Sequence, residues 1–324
     1  MIEYELYIIN ESKIYSPVVK DGVKLELERS GSPGKLTFSI VNDNYSGVKE
    51  PMNIQEGNEV QFIVNGTKLF RGFIFTKARD KEQIISITAY DQLRYLKNKD
   101  NKKCNNVPAD VFIKQVCEDF LLNVGDITAT NMPIYWLFED KTIFDMFLSV
   151  MQETTRLTGE MYVLYDDFGK ITLKNISEMT LDCLITENTA ENFSYTSSID
   201  SETYNQIKLV YKNEETGMGD VYMAKDSGNI NEWGLLQYYE NIDENDNGVL
   251  KAETMLSMYN SKRRILSVSG AFGDLRVRGG SLVPVTLTLG DVDANSYLLV
   301  EKVTHNFSGS SHTMDLELRG GLFE

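Results

Sequence analysis

The 324 residues carry 48 Asp and Glu against 32 Lys and Arg, a formal net charge of −16, which repels phosphate backbones and anionic membranes and disfavours ordinary nucleic-acid binding. With 42% hydrophobic residues, the chain can bury real cores, so wholesale disorder is excluded, and its length predicts two or three domains. No apolar run reaches the roughly 18 residues of a membrane span, and Met1–Asn10 has no basic cluster of a signal peptide.

Strand patterns come first. Val23, Leu25 and Leu27 alternate with Lys24, Glu26 and Glu28, which is period two. Ser30-Gly31-Ser32-Pro33-Gly34 is a turn cluster, and Leu36, Phe38 and Ile40 alternate again. Gly57 opens Val60, Phe62 and Val64, and Asn65-Gly66 is a hairpin signal. Runs at Phe70–Phe75 and Ile84–Tyr90 follow, then a short helix at Asp91–Lys97. Many short strands at this spacing predict a barrel over 1–100.

Polar Asp100–Asn106 reads as a boundary, and the texture then turns helical. A helix starts at Asn106-Val107-Pro108, since proline is tolerated in a first turn. Val111, Phe112, Val116, Phe120 and Leu121 lie near one face. A second helix follows Asp140, with Ile143, Phe144, Phe147, Val150, Met151 and Leu157 inward and Gly159 ending it. A hairpin, Met161–Tyr165 with Lys170–Lys174, completes a small α+β domain over 101–179.

Strand texture returns over 180–324. Tyr204–Tyr211 is a strand, and Lys212–Asp220 and Lys225–Asn231 read as loops. A helix is predicted near 250–264, then strands at Leu282–Leu289, Tyr297–His305 and His312–Leu318. Gly57-x-x-Val60-x-Phe62-x-Val64 has the spacing of Gly280-x-x-Val283-x-Val285-x-Leu287, and similar strands follow each. This is either the likeness of any two β-meanders or a duplicated barrel split by the α+β domain. A duplicated barrel lets a three-fold ring present six similar faces.

Chemistry-bearing motifs are weak. Asp243-Glu244-Asn245-Asp246-Asn247-Gly248 imitates the opening of an EF-hand loop, but its ninth position is Lys251, its twelfth is Thr254, and Glu253 is off register. An acidic turn before a helix fits it better. His305 and His312, the two histidines, fall on neighbouring strands and lack the further ligands of a metal site. Asp166-Asp167 and Glu214-Glu215 lie in turns. Arg276-Val277-Arg278-Gly279-Gly280 and Arg319-Gly320-Gly321 are single, strand-side tracts unlike repeated RNA-binding ones. Their arginines, with Arg71, are expected to pair with acids across a subunit interface. Cys104, Cys117 and Cys183 form no CxxC and read as buried thiols of a protein assembled in a bacterial cytoplasm. No catalytic, cofactor or metal residues are assigned.

Several stretches resemble the XkdQ/YqbQ family of phage-like tail proteins. They are Ser32-Pro33-Gly34-Lys35-Leu36-Thr37-Phe38, Ala89-Tyr90-Asp91-Gln92-Leu93-Arg94-Tyr95-Leu96-Lys97-Asn98-Lys99, Tyr204-Asn205-Gln206-Ile207-Lys208 and His312-Thr313-Met314-Asp315-Leu316. The resemblance covers nearly the whole chain. It implies a mainly β fold with two tail-tube-like barrels, and a non-enzymatic baseplate hub of a contractile phage tail or R-type bacteriocin. That hub is a homotrimer between the six-fold tail tube and the three-fold spike, with other baseplate proteins as partners. DNA or a tape-measure protein passes its lumen without specific binding. Other readings are a tail-associated cell-wall hydrolase and a carbohydrate-binding tip module, with Trp136 and Trp233 as the aromatic candidates.

Overall fold

The computed structural model describes residues 2–41, 52–200, 202–212, 219–243, 247–288 and 293–320. Seven strands open the chain: β1 (Tyr4–Asn10), β2 (Lys13–Tyr15), β3 (Val19–Glu28), β4 (Lys35–Val41), β5 (Glu59–Val64), β6 (Thr67–Arg79) and β7 (Ile84–Tyr90). The alternating residues turn inward as their period requires: Leu36, Phe38 and Ile40 on β4 and Val60, Phe62 and Val64 on β5 are buried. Asn65 and Gly66, both at positive φ, form the two-residue turn that pairs Val64 with Thr67.

Asp91 then caps a short 3₁₀ helix over Gln92–Lys97. The polar stretch expected as a boundary forms a strand, β8 (Lys99–Pro108). Of Asp100–Asn106 only Cys104 is buried, so this ribbon carries no apolar alternation to betray it. Next come α1 (Ala109–Asp119), β9 (Val124–Ile127), β10 (Pro133–Thr142), α2 (Ile143–Thr158), β11 (Tyr162–Asp166) and β12 (Ile171–Asn175). β8 pairs with β10, and β9, β12 and β11 form a second small sheet. α2 is delimited as its sequence requires. The Thr142 hydroxyl accepts from the Asp145 amide at 3.0 Å, and Gly159 ends it at φ 76°. The inward residues of α1 and α2 share one core with Leu93, Leu96 and Leu173. Leu121 departs from expectation. It lies past the end of α1 at φ 55° and is 93% exposed.

The rest comprises β13 (Ile185–Thr186), β14 (Asn192–Ser198), β15 (Gln206–Lys212), β16 (Gly219–Lys225), α3 (Ser227–Trp233), β17 (Gln237–Asn241), α4 (Gly248–Tyr259), β18 (Arg263–Phe272), β19 (Leu282–Thr288), β20 (Asp293–Ser308) and β21 (Ser311–Gly320). Two expectations are corrected. The loop over Lys225–Asn231 holds the start of α3, capped by Asp226. The helix near 250–264 stops at Tyr259, because Arg263 already pairs with Ser198 in the sheet. That pairing brings the ends of 199–262 together, so β15–β17 with α3 and α4 form an inserted unit. It has its own core of Ile207, Leu209, Ile242, Ala252 and Met255.

The large sheet has 13 strands, eleven of them in one path, β14-β18-β21-β20-β3-β4-β7-β6-β5-β1-β2, with β19 paired to β20 off that path and β13 paired to β19. The halves expected as barrels are thus continuous through the β20–β3 pairing, and the described pairings leave both ends of the path open. Each half keeps its own core, and Leu27 touches both.

The suspected repeat is a repeat of backbone register. The Gly57 amide donates to Ile74 O at 2.8 Å and the Ile74 amide to Asn58 O at 2.9 Å. Gly280, Val300 and Ser281 make the same two bonds at 2.8 Å each. Phe73 faces Tyr90 as Leu299 faces Arg319. One residue, Phe75 or Glu301, then bulges before pairing resumes at Thr76–Thr88 or Lys302–Glu317. Leu36 faces Ala89 as Leu266 faces Leu318. Leu25 faces Leu36 as Tyr195 faces Leu266. Five strands, β3 to β7, therefore match β14, β18, β19, β20 and β21.

Candidate functional site

Four segments distant in sequence meet at one cleft: the β3–β4 turn, the residues just after β7, the tip of the β11–β12 hairpin, and the loop before β19. Asp91 is buried there. Its Oδ2 accepts from the Gly34 amide at 2.8 Å and its Oδ1 from the Leu93 amide at 3.0 Å. A side chain at position 34 would meet Asp91 Oδ2 at 2.5 Å, so this close approach needs glycine. Asp166 Oδ1 accepts from the Gly169 amide at 2.6 Å. The Arg278 guanidinium lies 4.1 Å from the centre of the Tyr165 ring. Its Nη1 donates to Asp166 O at 3.5 Å.

Burial disfavours charge on both acids. It pushes the Asp91 carboxyl well above the usual range, with the Asp166 charge adding to the effect. It brings Asp166 up to about 6, against the pull of the Gly169 amide, Gln92 and Arg278. The cleft thus holds two carboxyls that retain protons more readily than surface acids, and it joins both β halves to the α+β unit.

His305 and His312 do meet. His305 Nδ1 is 2.9 Å from His312 Nε2, and His305 Nε2 is 2.9 Å from Val277 O. The Val277 carbonyl can only accept, so His305 carries its proton on Nε2 and accepts at Nδ1 from His312 Nε2–H. Burial lowers His305 to about 3, helped by its neighbour, and His312 to about 4. Two neutral rings in a relay ending on a carbonyl pin the loop before β19 onto β20 and β21. Among the described residues, no three or more His, Cys, Asp or Glu side chains gather as a metal would require.

A third polar cluster seats the inserted unit. Lys251, 2% exposed, donates from Nζ to Glu153 Oε1 at 2.7 Å and to Glu240 Oε1 at 3.2 Å. Arg156 Nη1 donates to Glu240 Oε2 at 3.3 Å. The ninth position of the EF-hand-like loop therefore turns away to an acid on α2. Residues 244–246 of that loop, and Glu214 and Glu215, lie outside the described residues. Sequence reasoning missed Glu153, Lys251 and Glu240. The available signal was two inward-facing charges, Glu153 on α2 and Lys251 on α4, that need partners.

The arginines expected to bridge subunits are engaged within the chain. Arg71 makes a two-pronged pair with Glu59 at 2.9 and 2.8 Å. Arg276 binds Asp274 and Asp182, and Arg319 faces Glu301 and Glu202. Cys104 and Cys117 are buried free thiols and Cys183 is half-buried. Burial pushes them up to about 11, 12 and 11, which suppresses thiolate chemistry. Trp136 stacks on Phe138 at 5.8 Å, and Lys262 lies 5.8 Å over the Trp233 ring. Both indoles are half-buried. Among the described residues, no helix is long and apolar enough to cross a membrane.

Sequence and fold both relate the chain to known proteins. The chain is 29% identical to YqbQ of Bacillus subtilis (strain 168), over 97% of this chain and 96% of that one. It is 28% identical, over the same shares, to the phage-like element PBSX protein XkdQ of that strain. Its fold is that of a 43 kDa prophage MuSo2 tail protein from Shewanella oneidensis, with a TM-score of 0.69 at 14% identity, covering 97% of this chain and 98% of that one. A YQBQ-like family model matches residues 23–319, and the chain belongs to the YQBQ-like family.

Proposed function

We propose that this chain is a structural subunit of a phage-like contractile tail, the baseplate hub whose ring adapts the six-fold tube to the three-fold spike. The observation that carries the reading is the duplicated meander, whose central pairings and β6 or β20 bulge agree in register. Two equivalent β units per chain let three chains offer six equivalent faces to a tube and three to a spike. The phage-like relative and the prophage tail fold support the tail setting. In this reading the partners are two further copies, the tube protein, the spike and other baseplate proteins. The −16 charge suits a lumen past which DNA or a tape-measure protein slides without adhering.

The polar clusters support an architectural role. Asp91 directs both oxygens at backbone amides, and the histidine relay and the Lys251 cluster each join chain segments. A tail-borne hydrolase needs carboxylates free to face a sugar. A peptidoglycan zymogram with clearing that disappears in Asp166→Asn would favour that reading instead. The direct test is molar mass by light scattering, alone and with the neighbouring tail proteins. A trimer in either setting is expected, and a monomer in both overturns the hub.

A further inference from the structure

The duplication makes a prediction about edges. Inside the chain the halves are joined by β20 and β3, antiparallel, with Lys302 opposite Glu28, Thr304 opposite Glu26 and Phe307 opposite Val23. In the first half, the part of β6 matching Lys302–His305 is Thr76–Arg79. In the second half, the strand matching β3 is β14. Among the described residues, no strand pairs with β6 on that side beyond Ile74, and none with the outer edge of β14. Thr76, Ala78 and Arg79 are exposed, as are Asn192, Ser194, Thr196 and Ser197. Lys77 reaches sideways to the Ile54 carbonyl at 2.7 Å.

We propose that the partner for both edges is a second copy of this chain, whose β14 pairs antiparallel with Thr76–Arg79 and so repeats between copies the junction that β3 and β20 make within one. This rests on the ring reading and supplies its contact. Superposing the halves sets Thr76 opposite Ser198, Lys77 opposite Ser197, Ala78 opposite Thr196 and Arg79 opposite Tyr195. One copy gives β14 and receives on β6, so the contact is head-to-tail, the kind that closes into rings. Unpaired strand edges are ready templates for such addition. Charge agrees. Lys81 falls opposite Phe193, diagonal to Glu191, and both charged residues are exposed. Side chains differ between the junctions. The Arg29–Glu301 pair, 2.7 Å apart inside the chain, has Ile199 and Phe75 at its equivalent positions.

The test is a cross-link across the predicted register. Opposed residues of antiparallel strands bring their Cβ atoms to about 4.5–5.5 Å, close to disulfide range. Full-length protein carrying Ala78→Cys and Thr196→Cys is oxidised, and in parallel treated with a short bismaleimide, then run on a denaturing gel without reductant. Dimer and trimer bands in the double variant, and none above dimer in either single variant, are expected. Pairing Ala78→Cys with Ser198→Cys, two residues out of register, is expected to cut the yield several-fold. No inter-chain bond with either reagent, or equal yield out of register, overturns the junction. If light scattering still finds a trimer, the junction alone falls. If it finds a monomer with and without the tail neighbours, the hub reading falls too.

Discussion

In the first meander Phe62 faces Phe70, and in the second the equivalent pair is Val285 and Ser296. The exposed Arg79 has buried His305 as its counterpart. The backbones agree in register over the centre of each meander, although bulges at Phe62/Ile63 and at Val268/Ala271 each occur in one copy only, while the side chains do not agree, so the shared geometry is not held by matching contacts. It comes from period-two apolar alternation, from a glycine at positive φ opening each meander, and from one bulged residue. Each core then fills its own space, with aromatic rings in the first half and aliphatic side chains in the second. The halves also differ in what links equivalent strands. β3 and β4 are joined by the short turn around Ser30–Gly34, whereas 199–262 stand between β14 and β18.

The largest expected effect separates the halves at that insertion. Lys251→Ala leaves Glu153 in the interior with Arg156, 3.5 Å away, as its remaining ion-pair partner, and breaking a buried pair costs about 3–5 kcal/mol. Urea unfolding followed at Trp233, in the inserted unit, is expected to shift first. A single unshifted transition would mean that the cluster does not seat the insertion. Next, Phe62→Ala is expected to cost about 3–5 kcal/mol against about 2 kcal/mol for the equivalent Val285→Ala, since the aromatic leaves the larger cavity. Equal losses would show that the second core collapses less well than the first.

The opening glycines give a sharper contrast. Gly57 has φ 86° and open space around an added Cβ, whereas Gly280 has φ 96° and Val163 at 2.8 Å. Gly57→Ala is expected to cost about 1 kcal/mol and Gly280→Ala about 2–4 kcal/mol, because only the second adds a clash to backbone strain. Similar thermal shifts for both would contradict that geometry.

Acid acts on the halves unequally. The folded pKa of each histidine lies below its unfolded value, so the unfolded chain binds more protons. Their stabilisation is complete above about pH 6.5 and is lost as pH falls toward 4 and then 3. Asp166 runs the other way. Raised to about 6, it stabilises fully below its unfolded value near 3.8 and loses that contribution as pH rises through 6. Amide protection on β20 and β21, relative to the intrinsic exchange rate at each pH, is therefore expected to fall between pH 6.5 and 4 while that on β5 and β6 holds. His305→Gln should flatten the difference, and a uniform response would refute it. The smallest effect is a gain. Leu121→Gly relieves a left-handed, exposed leucine and is expected to stabilise by about 0.5 kcal/mol in thermal melts.

The sequence by itself determined the local elements whose signals are local. Alternation placed β4, β5 and β7, Asn65-Gly66 placed a turn, Gly159 ended α2, and the spacing of Gly57 and Gly280 betrayed the repeat. Each rests on backbone angles or on which face meets a core, and both are written into neighbouring residues. β8, α3 and the end of α4 escaped. β8 is an exposed ribbon with one buried residue, and α4 is cut short by a strand whose partner lies more than sixty residues earlier in the chain. Tertiary structure alone decided that Asp91 meets Asp166, that Lys251 meets Glu153, and that the two histidines lock a loop. Such pairings are fixed by which segments the sheet path brings together, and burial then gives those charges and protons an environment that no local pattern records.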